Sequence, residues 1–214
     1  MLERVDSTCR PRKQARAREL LDAALDLFVE KGFAAARAED IAARAGVSKA
    51  TLYLYFRSKE DLLKALIAER FASCIAIGVH ETTDARPSQE LLRSVLTSWR
   101  SALMERHAGG IFKLVFTEVR NFPGLAEFWS HEVIEPVRRV VSRIVVRGID
   151  RGEFRAVDPD LVVHALVLPI IVICLHRHAM DPLVPDDSLM SAPDLFRRHL
   201  DLVLEGLIPR PLLR

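Results

Sequence analysis

Between Ile41 and Phe56 the chain reads Ile-Ala-Ala-Arg-Ala-Gly-Val-Ser-Lys-Ala-Thr-Leu-Tyr-Leu-Tyr-Phe, two short apolar-periodic runs hinged on one glycine. Gly46 has no Cβ and so permits the left-handed backbone of a tight reversal. The first run, Arg37 to Ala45, places Ile41, Ala42 and Ala45 on one face; the second, Lys49 to Phe56, turns Leu52 and Phe56 inward, with Ser48 positioned to cap it. Small Ala42 lets the two helices approach, while Ile41, Val47 and Leu52 form the wedge that fixes their angle. This is helix-turn-helix spacing. What is left outside on the second helix is Lys49, Thr51, Tyr53 and Tyr55, a cation, a hydroxyl with a methyl group and two phenols. Those chemistries suit phosphates and base edges in a major groove better than they suit an inert solvated face.

Helical spacing continues on both sides. Gln14 to Lys31 carries Leu21, Ala24, Leu25 and Phe28 at intervals of 3 and 4 and stops at Gly32. Ser58-Lys59-Glu60-Asp61 opens a fourth helix, with Ser58 as N-cap and acids in the first turn, that reads through Leu62, Leu63, Leu66, Ile67 and Phe71 towards Val79. After a break over Thr82 to Pro87, Ser88 caps a helix bearing Leu92, Val95, Leu96, Trp99 and Leu103. Gly109-Gly110 and Pro123-Gly124 bracket the next. Leu125 to about Arg151 fits a long helix kinked at Pro136, and Asp158-Pro159 starts one that is almost wholly apolar to Leu175. Ser191 to Leu207 closes the chain. The expectation is an all-α fold of about nine helices, and 9 Gly, 11 Pro and 7% aromatics in 214 residues agree. A head over residues 1–70 precedes a larger apolar body over 71–214.

The formal charge of +2 hides a gradient. Residues 1–70 hold 14 Lys/Arg against 11 Asp/Glu, and Arg10, Arg12, Lys13, Arg16 and Arg18 follow one another with no acid between them. Such an arm neutralises phosphates and releases counterions. Cys9, Cys74 and Cys174 are far apart, without finger spacing, so no disulfide framework, metal or cofactor is expected. In Cys174-x-His176-x-His178 the two imidazoles stand about 200° apart on a helix, which is poor geometry for one metal. The apolar run Leu161 to Leu175 has 15 residues, short of the ~20 that span a bilayer, and Met1 to Lys13 lacks an apolar signal core. A cytoplasmic protein with no membrane partner is expected. No GxSxG, Walker, HExxH or GxGxxG pattern occurs, which argues against an enzyme.

Gly32-Phe33, Asp40-Ile41-Ala42, Ala45-Gly46-Val47-Ser48, Thr51-Leu52-Tyr53, Tyr55-Phe56 and Ser58-Lys59-Glu60-Asp61-Leu62-Leu63 together resemble the DNA-binding signature of the TetR/AcrR family, over about residues 12–66. The resemblance implies a homodimeric bacterial transcriptional regulator of double-stranded DNA, usually a repressor, released from its operator by a small-molecule effector. It puts Lys49, Thr51 and Tyr53 at or beside base-reading positions, Tyr55 at a phosphate-contacting one, and Lys59 at the start of the fourth helix. The chain departs from the family at Ala36-Arg37, where Thr and Ser are common; the hydroxyl cap is missing, and Arg37 is expected to reach a phosphate by charge instead.

The same resemblance implies a ligand pocket among the middle helices and a dimer interface on the last two long ones. Phe71, Trp99, Leu103, Phe112, Phe116, Phe128 and Trp129, with Val167, are large apolar groups that fit an apolar or aromatic ligand, and His107, His131, His164 and Asn121 are candidate polar anchors. The helix from 158 to 179 is apolar around most of its circumference. Either it is fully internal in a monomer, or a second copy covers it, with Val163, Ile170, Ile173, Phe196, Leu200 and Val203 in a four-helix dimer bundle. A regulator of the same fold that senses a protein partner, or that activates, is the alternative reading.

Overall fold

A computed structural model describes residues 9–81, 85–179 and 194–209, and among these residues every regular element is helical. The head comprises α1 (Cys9–Lys31), α2 (Ala38–Arg44) and α3 (Lys49–Tyr55), and α4 (Lys59–Glu81) leads out of it. The body follows as α5 (Ser88–Met104), α6 (Arg106–Glu118), α7 (Pro123–Trp129), a π-helical turn (Ser130–Ile134), α8 (Glu135–Asp150), α9 (Pro159–Ala179) and α10 (Leu195–Leu207). Because α7, the π turn and α8 run on without a break, the described residues form nine helical rods, as the periodicity predicts.

The capping residues act as their chemistry dictates. Ser48 Oγ accepts the Thr51 N–H at 3.1 Å, and Ser58 Oγ accepts the Asp61 N–H at 3.0 Å, each satisfying a donor that the first turn leaves unpaired. Asp158 accepts the Asp160 N–H at 2.9 Å, ahead of α9. Gly46 adopts φ +67°, and the Val47 N–H reaches back to the Ala42 carbonyl at 2.9 Å, closing the turn between α2 and α3. Arg37 occupies the N-cap of α2 without a side-chain cap, as its side chain requires.

Several expectations are corrected by packing. Gly109 and Gly110 lie inside α6, not at its edge; a Cβ on Gly109 would come within 1.8 Å of the His178 imidazole, and one on Gly110 within 2.7 Å of Val29. They are close-approach sites between α6 and its neighbours, which a sequence does not distinguish from a break. Ser88 is the first residue of α5, not its cap; its N–H donates to Glu153 Oε2 at 2.6 Å, so a carboxylate distant in sequence caps this helix. The kink signalled by Pro136 is expressed as the π turn just before it, where the missing proline N–H weakens the regular ladder. Helix α1 begins at Cys9, so Lys13, Arg16 and Arg18 project from its first turns; the side chains of Arg10 and Arg12, and the start expected for the last helix at Ser191, lie outside the described residues.

Two apolar clusters hold the molecule together. One joins α1, α2, α3 and α4 through Leu25, Phe28, Ile41, Leu52 and Leu66, and continues without a gap into α6 at Ile111, Phe112 and Val115. The other joins α5, α8, α9 and α10. In α9 the stretch Pro159–His178, with mean hydropathy 2.0, is long and apolar enough to cross a bilayer, longer than the 15-residue run expected; here it packs on α5, α6, α8 and α10. Val163, Ile170, Phe196 and Leu200, expected at a dimer interface, are buried within the protomer's own core, and Ile173 and Val203 are half-buried. On α9 and α10 the large apolar side chains left outside are Leu161 (66% exposed), Leu168 and Val172 of α9 and Leu202 (71% exposed) of α10.

Gly148 in α8 faces the Phe154 ring, where a Cβ would come within 2.2 Å. Gly148→Ala is expected to cost about 1–3 kcal/mol by overpacking, read as a lower urea midpoint at unchanged m value.

Candidate nucleic-acid interface and buried cavity

The outer face of the head is built on α3. Tyr53 is 44% exposed, and Lys49 stands beside it with its ammonium 5.9 Å from the ring centroid. Thr51 Oγ1 and Ser48 Oγ are 2.9 Å apart, so the cap and the reading-face hydroxyl share one hydrogen bond. Tyr55 leans back onto the apolar core and is half-buried. Arg37 is exposed at the start of α2 and makes no side-chain cap. These residues share one end of the head.

A residue that the sequence reading passed over completes the face. Glu39 on α2 accepts from Lys49 Nζ at 2.5 Å, which holds its carboxyl below the usual range and raises the Lys49 ammonium by the same contact. The pairing follows from the α2–α3 crossing, and no spacing within either helix announces it. Arg44 grips Glu30 with two 2.8 Å bonds, tying α2 to α1.

Lys59 is placed differently from the other six expected DNA contacts. Its Nζ donates to the Phe33 carbonyl at 2.8 Å and to the Ala34 carbonyl at 3.3 Å, and lies 4.7 Å from the Phe33 ring centroid. Burial lowers its pKa. The ammonium is turned into the protein, where it satisfies carbonyls of the turn that follows α1 at Gly32, whose φ is +80°. Phe33 itself packs on Phe28 at 5.0 Å and edge-on to Phe122 at 5.2 Å, between the head and the start of α7.

The body contains a partly open cavity of about 60 Å³. Its walls are Phe71 and Ile75 of α4, Trp99 and Leu103 of α5, Phe112 of α6, Trp129 of α7, Val133 and Ile134 of the π turn, Val137 of α8, and Val167, Ile170 and Ile171 of α9. Trp129 stands edge-on to Phe71 at 5.1 Å and to Phe112 at 5.4 Å, an arrangement that aromatic quadrupoles favour. Six of the expected ligand contacts, Phe71, Trp99, Leu103, Phe112, Trp129 and Val167, therefore meet around one space.

Three expected contacts do not line it. Phe116 packs outside Phe112 at 4.9 Å and is 46% exposed. Phe128 is half-buried against the core beneath Lys64, 5.9 Å from its ammonium, and His131 is exposed on the π turn. An α-helical register does not anticipate the extra residue per turn at 130–134, which rotates the faces of α7 and α8 relative to one another. Of the candidate polar anchors, His164 is exposed with Nδ1 2.7 Å from the Asp160 carbonyl, and Asn121 bonds Glu118 on the surface. The His107 side chain lies outside the described residues. Ile75 was missed although it is one turn beyond Phe71 on α4, a signal legible in the spacing.

Cys174 is buried against the Leu103 carbonyl, and burial pushes its thiol up to about 12. His178 Nε2 sits 3.1 Å from the same carbonyl. Among the described residues no group of three or more His, Cys, Asp or Glu is placed to hold a metal.

Comparison with known proteins agrees with both halves of this architecture. Residues 20–66 match the bacterial regulatory proteins of the tetR family, and residues 85–191 match the tetracyclin repressor-like C-terminal domain. The HTH-type transcriptional regulator YdeS of Bacillus subtilis is 32% identical over 68% of this chain and 71% of its own length. The HTH-type transcriptional repressor KstR2 of Rhodococcus jostii is 30% identical over 70% of this chain and 73% of its own. The structure of the regulator FadR from Bacillus subtilis, solved with stearoyl-CoA, superposes with TM-score 0.72 at 23% identity, covering 89% of this chain and 98% of that one. With a helix-turn-helix head on a helical body and matches of this kind along both, the chain belongs to the TetR family of DNA-binding transcriptional regulators.

Proposed function

We propose that this regulator is a cytoplasmic repressor that holds its operator as a homodimer and releases it when a small apolar molecule occupies the body. The observation that carries the reading is the double duty of α4. Its first residue, Lys59, is bonded to the turn after α1, and Phe71 and Ile75, further along the same rod, wall the cavity. Some 24 Å of continuous helix connects the two, at 1.5 Å per residue.

A cavity of about 60 Å³ is far below the ~300–1,000 Å³ of drug-sized ligand sites. A ligand there has to displace a wall, and a displaced α4 carries the head with it. In a dimer this changes the distance between two α3 helices, which successive major grooves require to be about 34–36 Å. A tenfold loss of operator affinity needs only about 1.4 kcal/mol of differential binding. The repressor name of KstR2 and the stearoyl-CoA held by FadR support repression and an apolar ligand.

In this reading Lys49, Thr51 and Tyr53 meet base edges, and Arg37, Ser48 and Tyr55 meet phosphates. Lys59 acts from behind, holding the turn on which the head sits. The dimer forms through Leu161, Leu168, Val172 and Leu202, since only 28% of the apolar window of α9 is buried in the protomer. A second copy is the natural cover for that stripe.

The governing experiment is an operator titration by fluorescence anisotropy, after the operator has been found by genome-wide pull-down of bound DNA. An apolar ligand that perturbs tryptophan fluorescence is expected to weaken operator binding at least tenfold; unchanged affinity at saturation overturns the reading. Arg37→Ala should weaken binding to all sequences alike and lower the salt slope by about one. Glu39→Gln, which frees the Lys49 ammonium, should raise affinity for all DNA and increase that slope by about one. Lys59→Met should lower stability by about 1–3 kcal/mol without any DNA present, whereas a purely phosphate-directed lysine would leave the melting temperature unchanged. In sedimentation, the wild-type mass should be twice 24.1 kDa and fall to 24.1 kDa in Leu168→Glu.

A further inference from the structure

A molecule bound in the cavity has to reach it from outside, and one approach runs past a single side chain. Ile75, half-buried, lines the cavity and also an open groove of about 640 Å³ on the outer side of α4. The groove is wide there because α4 presents Ala68, Ala72 and Ala76, which stop at Cβ, on three successive turns. Across from them lies the π turn, which sends Val133 and Ile134 to the cavity and Glu132 to the groove, with Pro136 just beyond. The π turn, with Pro136 two residues beyond it lacking an N–H, has a less regular hydrogen-bond ladder than the α-helical walls. Deeper in, Trp129 stands edge-on to Phe71 of α4 and to Phe112 of α6.

The charge at this mouth is as informative as its shape. Among the described residues that line the cavity and the groove, Glu132 carries the one ionisable side chain, and it is exposed. A carboxylate in that position repels an anionic head group and attracts a cationic one. We propose that the effector enters between α4 and the π turn by displacing Ile75, and that it is an apolar organic cation whose charged end stays at Glu132. This rests on the reading of the cavity as the effector site and narrows it, since it disfavours fatty carboxylates and acyl-CoA thioesters.

The chain's two tryptophans, Trp99 and Trp129, both line the cavity, so intrinsic fluorescence of the full-length protein reports its occupancy. The probes are dodecyltrimethylammonium and dodecanoate, alike in chain length and opposite in charge, each below its micelle concentration. The ammonium probe is expected to quench at about tenfold lower concentration. Glu132→Gln should abolish the difference and Glu132→Lys should reverse it, with circular dichroism confirming the fold of these surface variants. In stopped-flow mixing, Ile75→Ala should speed quenching and Ile75→Phe should slow it severalfold. Equal affinities, a preference for dodecanoate, or a preference that Glu132→Lys leaves in place overturns the head-group assignment. Rates unchanged in both Ile75 variants overturn the entry route. If neither probe quenches the wild-type protein, the cavity is not an effector site and the proposal falls with it; if both quench equally, the cavity reading stands and only the assignment to Glu132 falls.

Discussion

The contact between the Lys59 ammonium and the carbonyls of Phe33 and Ala34 determines how the head is carried. Helix α1 ends at Lys31, the chain turns at Gly32, and a cation from the start of α4 supplies donors to the turn carbonyls of Phe33 and Ala34. The same ammonium lies against the Phe33 ring, which in turn packs on Phe28 and Phe122. Head, connecting helix and the start of α7 thus meet around one aromatic side chain and one charge. That bond adds to the apolar packing of Leu62, Leu63, Leu66 and Ile67 of α4 in the same core as the head helices.

The body opposes this stiffness with a soft region. The two apolar clusters are close-packed, yet between them lies a small space walled by two tryptophans and a π turn. A cavity forfeits dispersion contacts on its lining, and a π turn forgoes the regular hydrogen-bond ladder, so the body is less completely packed there than in its two clusters. The edge-on rings of Trp129 with Phe71 and with Phe112 tie α4, α6 and the end of α7 together around that space.

Much of this was legible in the residues. Leu25, Phe28, Ile41, Leu52 and Leu66 read as core from spacing alone and are buried, and Ser48 and Ser58 cap the helices their chemistry predicts. Phe71, Trp99, Leu103, Phe112 and Val167 meet around one cavity because the large apolar residues of amphipathic helices have nowhere else to go. Phe128 and His131 fall outside the cavity lining because one additional residue in a turn rotates the faces on either side of it, and no local pattern marks that residue; Phe116, on α6, lies one turn beyond Phe112 and packs outside it. Val163, Ile170, Phe196 and Leu200 read as interface but serve the protomer's own core, since apolarity states that a side chain is covered and not by which chain.

The amino-acid sequence by itself determined the helices, the Gly46 turn and the chemistry of the reading face, because periodicity, φ preference and capping act over a few residues. Only the tertiary structure decided that Glu39 holds Lys49, that Lys59 points inward, that Glu153 caps α5, and that Gly109 and Gly110 admit neighbours in place of ending a helix. Each of those depends on residues brought together by packing from elsewhere in the chain, and the energy of such a contact is set by geometry that no local spacing encodes.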